Sequence, residues 1–136
     1  MRIILLCCIA LCFTQCNPSS QAKNSPEAQS QSQAQVQFVN YTEVDDFISK
    51  TEGLQVIDVR TEDEHVQGFL TGSKNMEIRA HDFADQLSTL DKDKPVLVYC
   101  ARGGRSGRAS KMLQDMGFSE IYDLKGGYNK YEALNR

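Results

Sequence analysis

The chain is expected to form an α/β domain, an open and mostly parallel five-stranded sheet with helices on both faces. From Val36 onward, short apolar runs alternate with helical stretches, the pattern of parallel strands joined by crossover helices. Helix start and stop signals fall between the runs, as at Thr61 and Gly117. Once the low-complexity front end is set aside, about 100 residues remain, enough for one modest core and not two. The strands are expected at Val36 to Val39, Gln55 to Asp58, Lys74 to Met76, Val96 to Tyr99 and Ile121 to Asp123. Thr42 can cap a helix whose Val44, Phe47 and Ile48 share one face. Thr61, with Glu64 three residues on, reads as the capping box of a short helix that ends near Gly68. Phe83, Leu87 and Leu90 mark a third helix. The clearest runs from Ser106 to Met116, with Ala109, Met112, Leu113 and Met116 at i, i+3, i+4 and i+7 and Gly117 as its stop.

Ahead of this domain (36–136) lie two segments of different character. Arg2 followed by the eleven apolar residues Ile3 to Phe13 reads as the charged start and apolar middle of a secretory signal, too short to span a bilayer. Phe13-Thr14-Gln15-Cys16-Asn17 resembles the cleavage box of bacterial lipoproteins. That resemblance implies lipidation at Cys16 and an exported protein of the periplasm or cell envelope, held to a membrane by its lipid anchor. Residues 1–16 are therefore expected to be the signal segment. Residues 17–35 form a Ser/Gln/Ala-rich linker, expected to be disordered because nothing in it can nucleate a core.

Charge narrows the range of partners. The whole chain carries −3, and since residues 1–35 contribute Arg2 and Lys23 against Glu27, the domain carries −4. A mildly acidic domain is a poor nucleic-acid binder. Against that background Arg102, Arg105, Arg108 and Lys111 place four cations within ten residues that hold no acid, which suits a small anion. Of five cysteines only Cys100 lies in the domain, so no internal disulfide is expected there. The two histidines, His65 and His81, lie apart with no cysteine ligand set, so no metal site is expected. Both read as solvated surface.

The sequence Cys100-Ala101-Arg102-Gly103-Gly104-Arg105-Ser106 sits between an expected strand and an expected helix. The unpaired amides and dipole of a helix N-terminus favour an anion there. With Arg102 and Arg105 added, the thiol should fall from about 8.5 into the roughly 3.5–7.5 range of activated cysteines. Gly103 and Gly104 allow a backbone that turns its N–H groups inward, a cradle that a β-branched residue would obstruct. Asp58 and Cys100 both lie at carboxyl ends of strands, where open α/β sheets bind ligands.

This loop resembles the active-site loop of the rhodanese (thiosulfate sulfurtransferase) family. Two further segments resemble the family's signatures: Ile57-Asp58-Val59-Arg60 through Glu64 to Gly68-Phe69-Leu70-Thr71-Gly72, and Leu124-Lys125-Gly126-Gly127-Tyr128. Where the family usually has Gly-His-Ile-Pro-Gly-Ala this chain has Gly68 to Ser73, and a tyrosine, Tyr128 or Tyr131, stands near a usual Trp; these read as packing positions. The resemblance implies a sulfurtransferase; a monomer is expected. Cys100 would be its nucleophile, and Ala101, Arg102, Gly103, Gly104, Arg105 and Ser106 would form the donor site. Sulfane sulfur would pass from thiosulfate or a similar small anionic donor, through a Cys100 persulfide, to a thiol or cyanide acceptor, with no metal or organic cofactor.

Several roles stay open at this level. Arg102 or Arg105 could be the arginine that touches substrate. Ser106 reads as the cap of its helix, with donation to the sulfur as the alternative. Asp58 and Arg60 read as a strand-end ion pair that orders a loop, with direct neighbourhood to the active site as the alternative. Gly126 and Gly127 would turn the chain back under the loop, with Tyr128 and Tyr131 covering its flank. Two other functions compete: a non-catalytic rhodanese-like binding or sulfur-carrier module, and a cysteine phosphatase or arsenate reductase. The Cys-x4-Arg spacing from Cys100 to Arg105 is one residue shorter than the phosphatase cradle and argues against the latter.

Overall fold

The computed structural model describes residues 34–136. The expected signal segment, Cys16 and all of the expected linker except Ala34 and Gln35 lie outside the described residues. Ala34 packs partly buried against the core, and its carbonyl accepts from Gln114 Nε2 at 2.6 Å. No helix among the described residues is long and apolar enough to cross a membrane.

The described chain runs β1 (Val36–Asn40), α1 (Val44–Lys50), β2 (Gln55–Asp58), α2 (Glu62–Val66), β3 (Lys74–Asn75), α3 (Phe83–Ser88), β4 (Val96–Tyr99), α4 (Gly104–Asp115), β5 (Ile121–Lys125) and α5 (Tyr128–Leu134). The strands form one sheet in the order β1-β5-β4-β2-β3, and every pair is parallel. β4 lies at the centre, with Val96 opposite Ile121 on one side and Gln55 on the other. All four of its residues are buried, as a strand covered on both faces must be.

Side-chain alternation divides the core in two. On one face Ile57, Val96, Val98 and Ile121 cluster with Phe83 and Leu87 of α3 and Ala109 and Leu113 of α4. On the other, Val56, Leu97, Tyr99 and Leu124 cluster with Val44 of α1 and Tyr128 of α5. Cys100, the residue after β4, continues the parity of Val96 and Val98 and belongs to the α3/α4 face.

Several local expectations are corrected. Thr42 caps no helix: α1 starts after Glu43, and the turn before it is closed by Asn40, whose side chain accepts from the Thr42 N–H at 3.3 Å. The helix after the cysteine loop begins at Gly104 rather than Ser106, so Ser106 is not its cap. β5 extends two residues beyond Asp123 because its pairing with β1 continues through Leu124 and Lys125. Directly after the double glycine a fifth helix, α5, forms where only a returning chain was expected. The capping box at Thr61 is present, with the Glu64 amide donating to Thr61 Oγ1 and the Thr61 amide donating to Glu64 Oε2.

Candidate active site

Cys100 is placed where central β4 ends and α4 begins, at the carboxyl end of the sheet. It is 2% exposed. The loop turns at Gly103, whose φ of 97° lies in the left-handed region that favours glycine and which serves as N-cap of α4. That turn aims the Gly103 N–H at Cys100 Sγ, 3.1 Å away. Gly104 does not share this restriction: it begins the regular helix, and a Cβ there would meet open space.

The thiol's ionisation is moved below its ordinary value. Burial acts to raise it, but is outweighed by hydrogen bonds from the Ser106 and Arg102 amides, the Ser106 hydroxyl and the Gly103 amide. Of the two expected causes, helix-N-terminal amides and arginine charge, the main-chain donors predominate, because they stabilise an anion through short contacts that solvent does not screen.

A cavity of about 880 Å³ opens over the sulfur. The loop supplies Cys100, Ala101, Arg102, Gly104 and Arg105 to its lining, which does not include Gly103 or Ser106. Other elements add Thr61, Glu64, Arg79, Arg108 and Asn129. Arg105 does not present an open fork: its two terminal nitrogens each donate to one oxygen of Glu64 at 2.6 Å. This bidentate pair, with burial opposing and Thr61 donors assisting, holds the Glu64 carboxyl down at about 2. Glu64 thereby both caps α2 and ties it to α4 across the cavity wall. Arg79, Arg102 and Arg108 line the same cavity and have no carboxylate partner among the described residues.

Asp58 and Arg60 sit on the opposite face from the sulfur. Asp58 pairs in register with Tyr99, whose side chain belongs to the α1/α5 core. Arg60 Nε donates to both Asp58 oxygens at 3.0 Å and an Nη donates to Oδ2 at 2.6 Å. The same Nη reaches the Gly68 carbonyl at 2.7 Å, and the guanidinium lies 4.1 Å over the Tyr128 ring. This is the loop-ordering pair, and neither residue lines the cavity. His65, expected in solvent, is instead half-buried: its Nδ1 lies 2.9 Å from Asp58 Oδ2 and its ring stacks on Phe69. His81 is exposed.

The double glycine supports the loop from below. The Tyr128 amide donates to the Cys100 carbonyl at 2.8 Å and the Asn129 amide to the Ala101 carbonyl at 3.1 Å. Gly127 makes the approach possible, with φ 71° and ψ 179°, a conformation almost exclusive to glycine. A Cβ on Gly127 would come within 2.6 Å of the backbone of Ala101 and Arg102, whereas one on Gly126 would meet only the flexible Lys130 side chain. Gly127→Ala is therefore expected to cost about 2–3 kcal/mol and to slow alkylation of Cys100. Gly126→Ala should cost about 1 kcal/mol and leave that rate near the parent's; urea unfolding and iodoacetamide kinetics check both.

Sequence reasoning missed Glu64 as a partner of Arg105, and it missed Arg79 and Asn129 at the cavity. Glu64 carried a signal, the capping box, but nothing local shows a second partner 41 residues away.

A parallel five-stranded sheet carrying a buried cysteine on a Gly-Gly-Arg loop, itself backed by a second double glycine, unites the three sequence signatures in one place. Residues 40–134 match the rhodanese-like domain. The chain belongs to that family. Among relatives, the uncharacterized protein YqhL of Bacillus subtilis is 39% identical over 77 residues, covering 57% of this chain and 60% of that protein's length. Thiosulfate sulfurtransferase GlpE of Pseudomonas putida is 34% identical over 86 residues, covering 63% of this chain and 76% of the relative. Of solved structures, a rhodanese-related protein from Thermoplasma volcanium superposes with a TM-score of 0.62 at 28% identity, covering 72% of this chain and 92% of that one. Reduced CoADR-RHD of Bacillus anthracis gives 0.64 at 29% identity, over 73% of this chain and 17% of that one. In this rhodanese-like domain the loop cysteine sits in a setting that lowers its ionisation.

Proposed function

We propose that the chain is a sulfurtransferase that carries sulfane sulfur on Cys100. The observation that carries this reading is a thiol of lowered ionisation at the floor of a cavity bordered by Arg79, Arg102 and Arg108, which have no carboxylate partner among the described residues. Cys100 attacks the outer sulfur of thiosulfate or a similar anionic donor; the S–S bond breaks, and sulfite leaves with its electron pair. The terminal sulfur of the persulfide is then attacked by a thiol or cyanide, returning the thiolate. Main-chain donors around Sγ favour the anion at both ends of this cycle. Arg102 and its neighbours attract the donor and hold its oxygens, while Arg105, engaged by Glu64, keeps the cavity wall in place. The name of the Pseudomonas putida relative agrees with this chemistry.

The test is the mass of the purified chain after thiosulfate treatment, followed together with sulfite release. Gain of one sulfur atom with stoichiometric sulfite, reversed by cyanide, supports the reading. An unchanged mass with no sulfite released sinks it and leaves a binding module. We further propose that Cys16 carries a lipid anchor that holds the domain at a bacterial envelope membrane. Globomycin treatment that leaves the size and membrane fractionation of the expressed chain unchanged would refute this.

A further inference from the structure

Behind the cysteine loop lies a buried acid that the cycle above does not use. Asp123, on β5, is 4% exposed and has no cation within ion-pair reach among the described residues. A lone buried carboxylate is costly and is ordinarily paired or neutralised. Burial pushes this carboxyl up to about 6, only partly offset by donors from Ser106 and the Leu124 amide. Its neighbours add no opposing charge. In register, β1 sets Phe38 beside it and β4 sets Val98. From α4 come Ser106 and Gly107. The charged residues of α4 are occupied or turned elsewhere: Arg105 bonds Glu64, Lys111 bonds Asp115, and Arg108 lines the cavity. On its own strand Lys125 is exposed. Asp123 contacts Ser106 at 2.6 Å, and Ser106 in turn is one of the groups that lower the Cys100 thiol.

Ser106 is fully buried, and its single hydroxyl hydrogen is shared among more groups than it can serve. Asp123 Oδ1 lies 2.6 Å from Oγ and the Gly103 carbonyl 3.1 Å away, and the Ser106 hydroxyl is among the groups that lower the Cys100 thiol. One hydrogen cannot satisfy all of them, so its direction depends on where the next proton sits.

We propose that Asp123 is a positioning residue for Cys100: acting through the Ser106 hydroxyl, it stores the proton that the thiol gives up and turns the Ser106 hydrogen onto the resulting thiolate. The transfer balances within the site. The S–H bond breaks as its proton bonds to Ser106 Oγ, while the original Ser106 proton passes to Asp123 Oδ1. The products are a thiolate and a neutral carboxylic acid, with Ser106 still a hydroxyl. The neutral Asp123 then donates to Ser106 Oγ, and Ser106 donates to the sulfur. No charge enters or leaves the site, so the thiol ionises without exporting a proton through the protein. The proposal builds on Cys100 as the reactive thiol, but its readout is alkylation rather than sulfur transfer. A chain that forms no persulfide would therefore overturn the functional reading and leave this one standing or falling separately.

The experiment is the pH dependence of Cys100 alkylation by iodoacetamide in the full chain. The wild type should show two inflections, since thiol and carboxyl lose their protons as a coupled pair. Asp123→Asn keeps a donor to Ser106 but cannot take up a proton, and should show a single inflection. Ser106→Ala should slow alkylation on the acidic plateau by about tenfold, the effect of one unit in the thiol's ionisation. A merely structural Asp123 would alter stability and leave both inflections in place. Two inflections in Asp123→Asn, or one in the wild type, overturn the proposal. Should the variants fail to fold, carbon NMR of the Asp123 carboxyl in the native chain decides. Its titration midpoint should fall once Cys100 is capped as a neutral thioether, because linkage between two sites is reciprocal, and an unmoved midpoint refutes the coupling.

Discussion

Cys100→Ser is expected to lose sulfur uptake, with kcat/KM for thiosulfate falling by about 1,000-fold or more, worth about 4 kcal/mol of transition-state stabilisation. The change is nearly isosteric, so the loop should keep its shape: the Gly103 amide and Ser106 face an oxygen in place of the sulfur. What disappears is the ionisation. The donors around this position pull a thiol below its ordinary value, but the same donors leave a serine hydroxyl un-ionised near neutrality and without the polarisable atom that accepts sulfane sulfur. Sulfite release measures the loss, and an unchanged urea midpoint shows that folding is not its cause. Retention of more than a tenth of the activity would move the nucleophile elsewhere. In the wild type, alkylation of Cys100 against pH should show an acid-shifted thiol, and an ordinary thiol curve would remove the physical basis for the site.

Arg60→Ala is expected to destabilise the domain by about 3–5 kcal/mol. Asp58 is fully buried and Arg60 is 4% exposed. Removing the guanidinium leaves the acid with the Arg60 amide and His65 as remaining neighbours. It also frees the Gly68 carbonyl and empties the space over Tyr128. A loss of this size is a large share of the roughly 5–15 kcal/mol that holds a small domain. Arg60→Lys should recover only part, because a point charge cannot supply the two-pronged geometry. The exposed Lys50–Asp46 pair provides the contrast: Lys50→Ala should leave the urea midpoint near the parent's. Urea unfolding checks all three. A cost below about 1 kcal/mol for Arg60→Ala would mean that the pair contributes little beyond what water would supply.

These two expectations draw on different depths of legibility. Cys100 and its loop could be read directly, because a glycine turn, a helix start and a cysteine adjoin within seven residues. The Asp58–Arg60 pair was equally local, two residues apart at a strand end. Glu64 was half legible, as a cap of its own helix, since the partner that gives it a second role comes from α4. α5 escaped because its pattern is only two turns long and follows a double glycine that reads as a stop. His65 was misread because the acids around it suggested solvent, while the fold brings its ring to Asp58 and Phe69.

By itself the sequence determined the alternation of strands and helices, the cap at Thr61, the turn at Gly103 and the place of the cysteine. Each is set by periodicity or backbone preference within a few residues, and such preferences act before distant parts of the chain meet. Only the tertiary structure decided that Arg105 would be held by Glu64, that Arg79 would join the cavity, and that Asp123 would lie buried behind Ser106. Those contacts depend on strand order and register, which bring residues 17 to 41 positions apart within 2.6 Å. Burial then sets their ionisation and geometry, and burial is a property of the packed domain that no short segment carries.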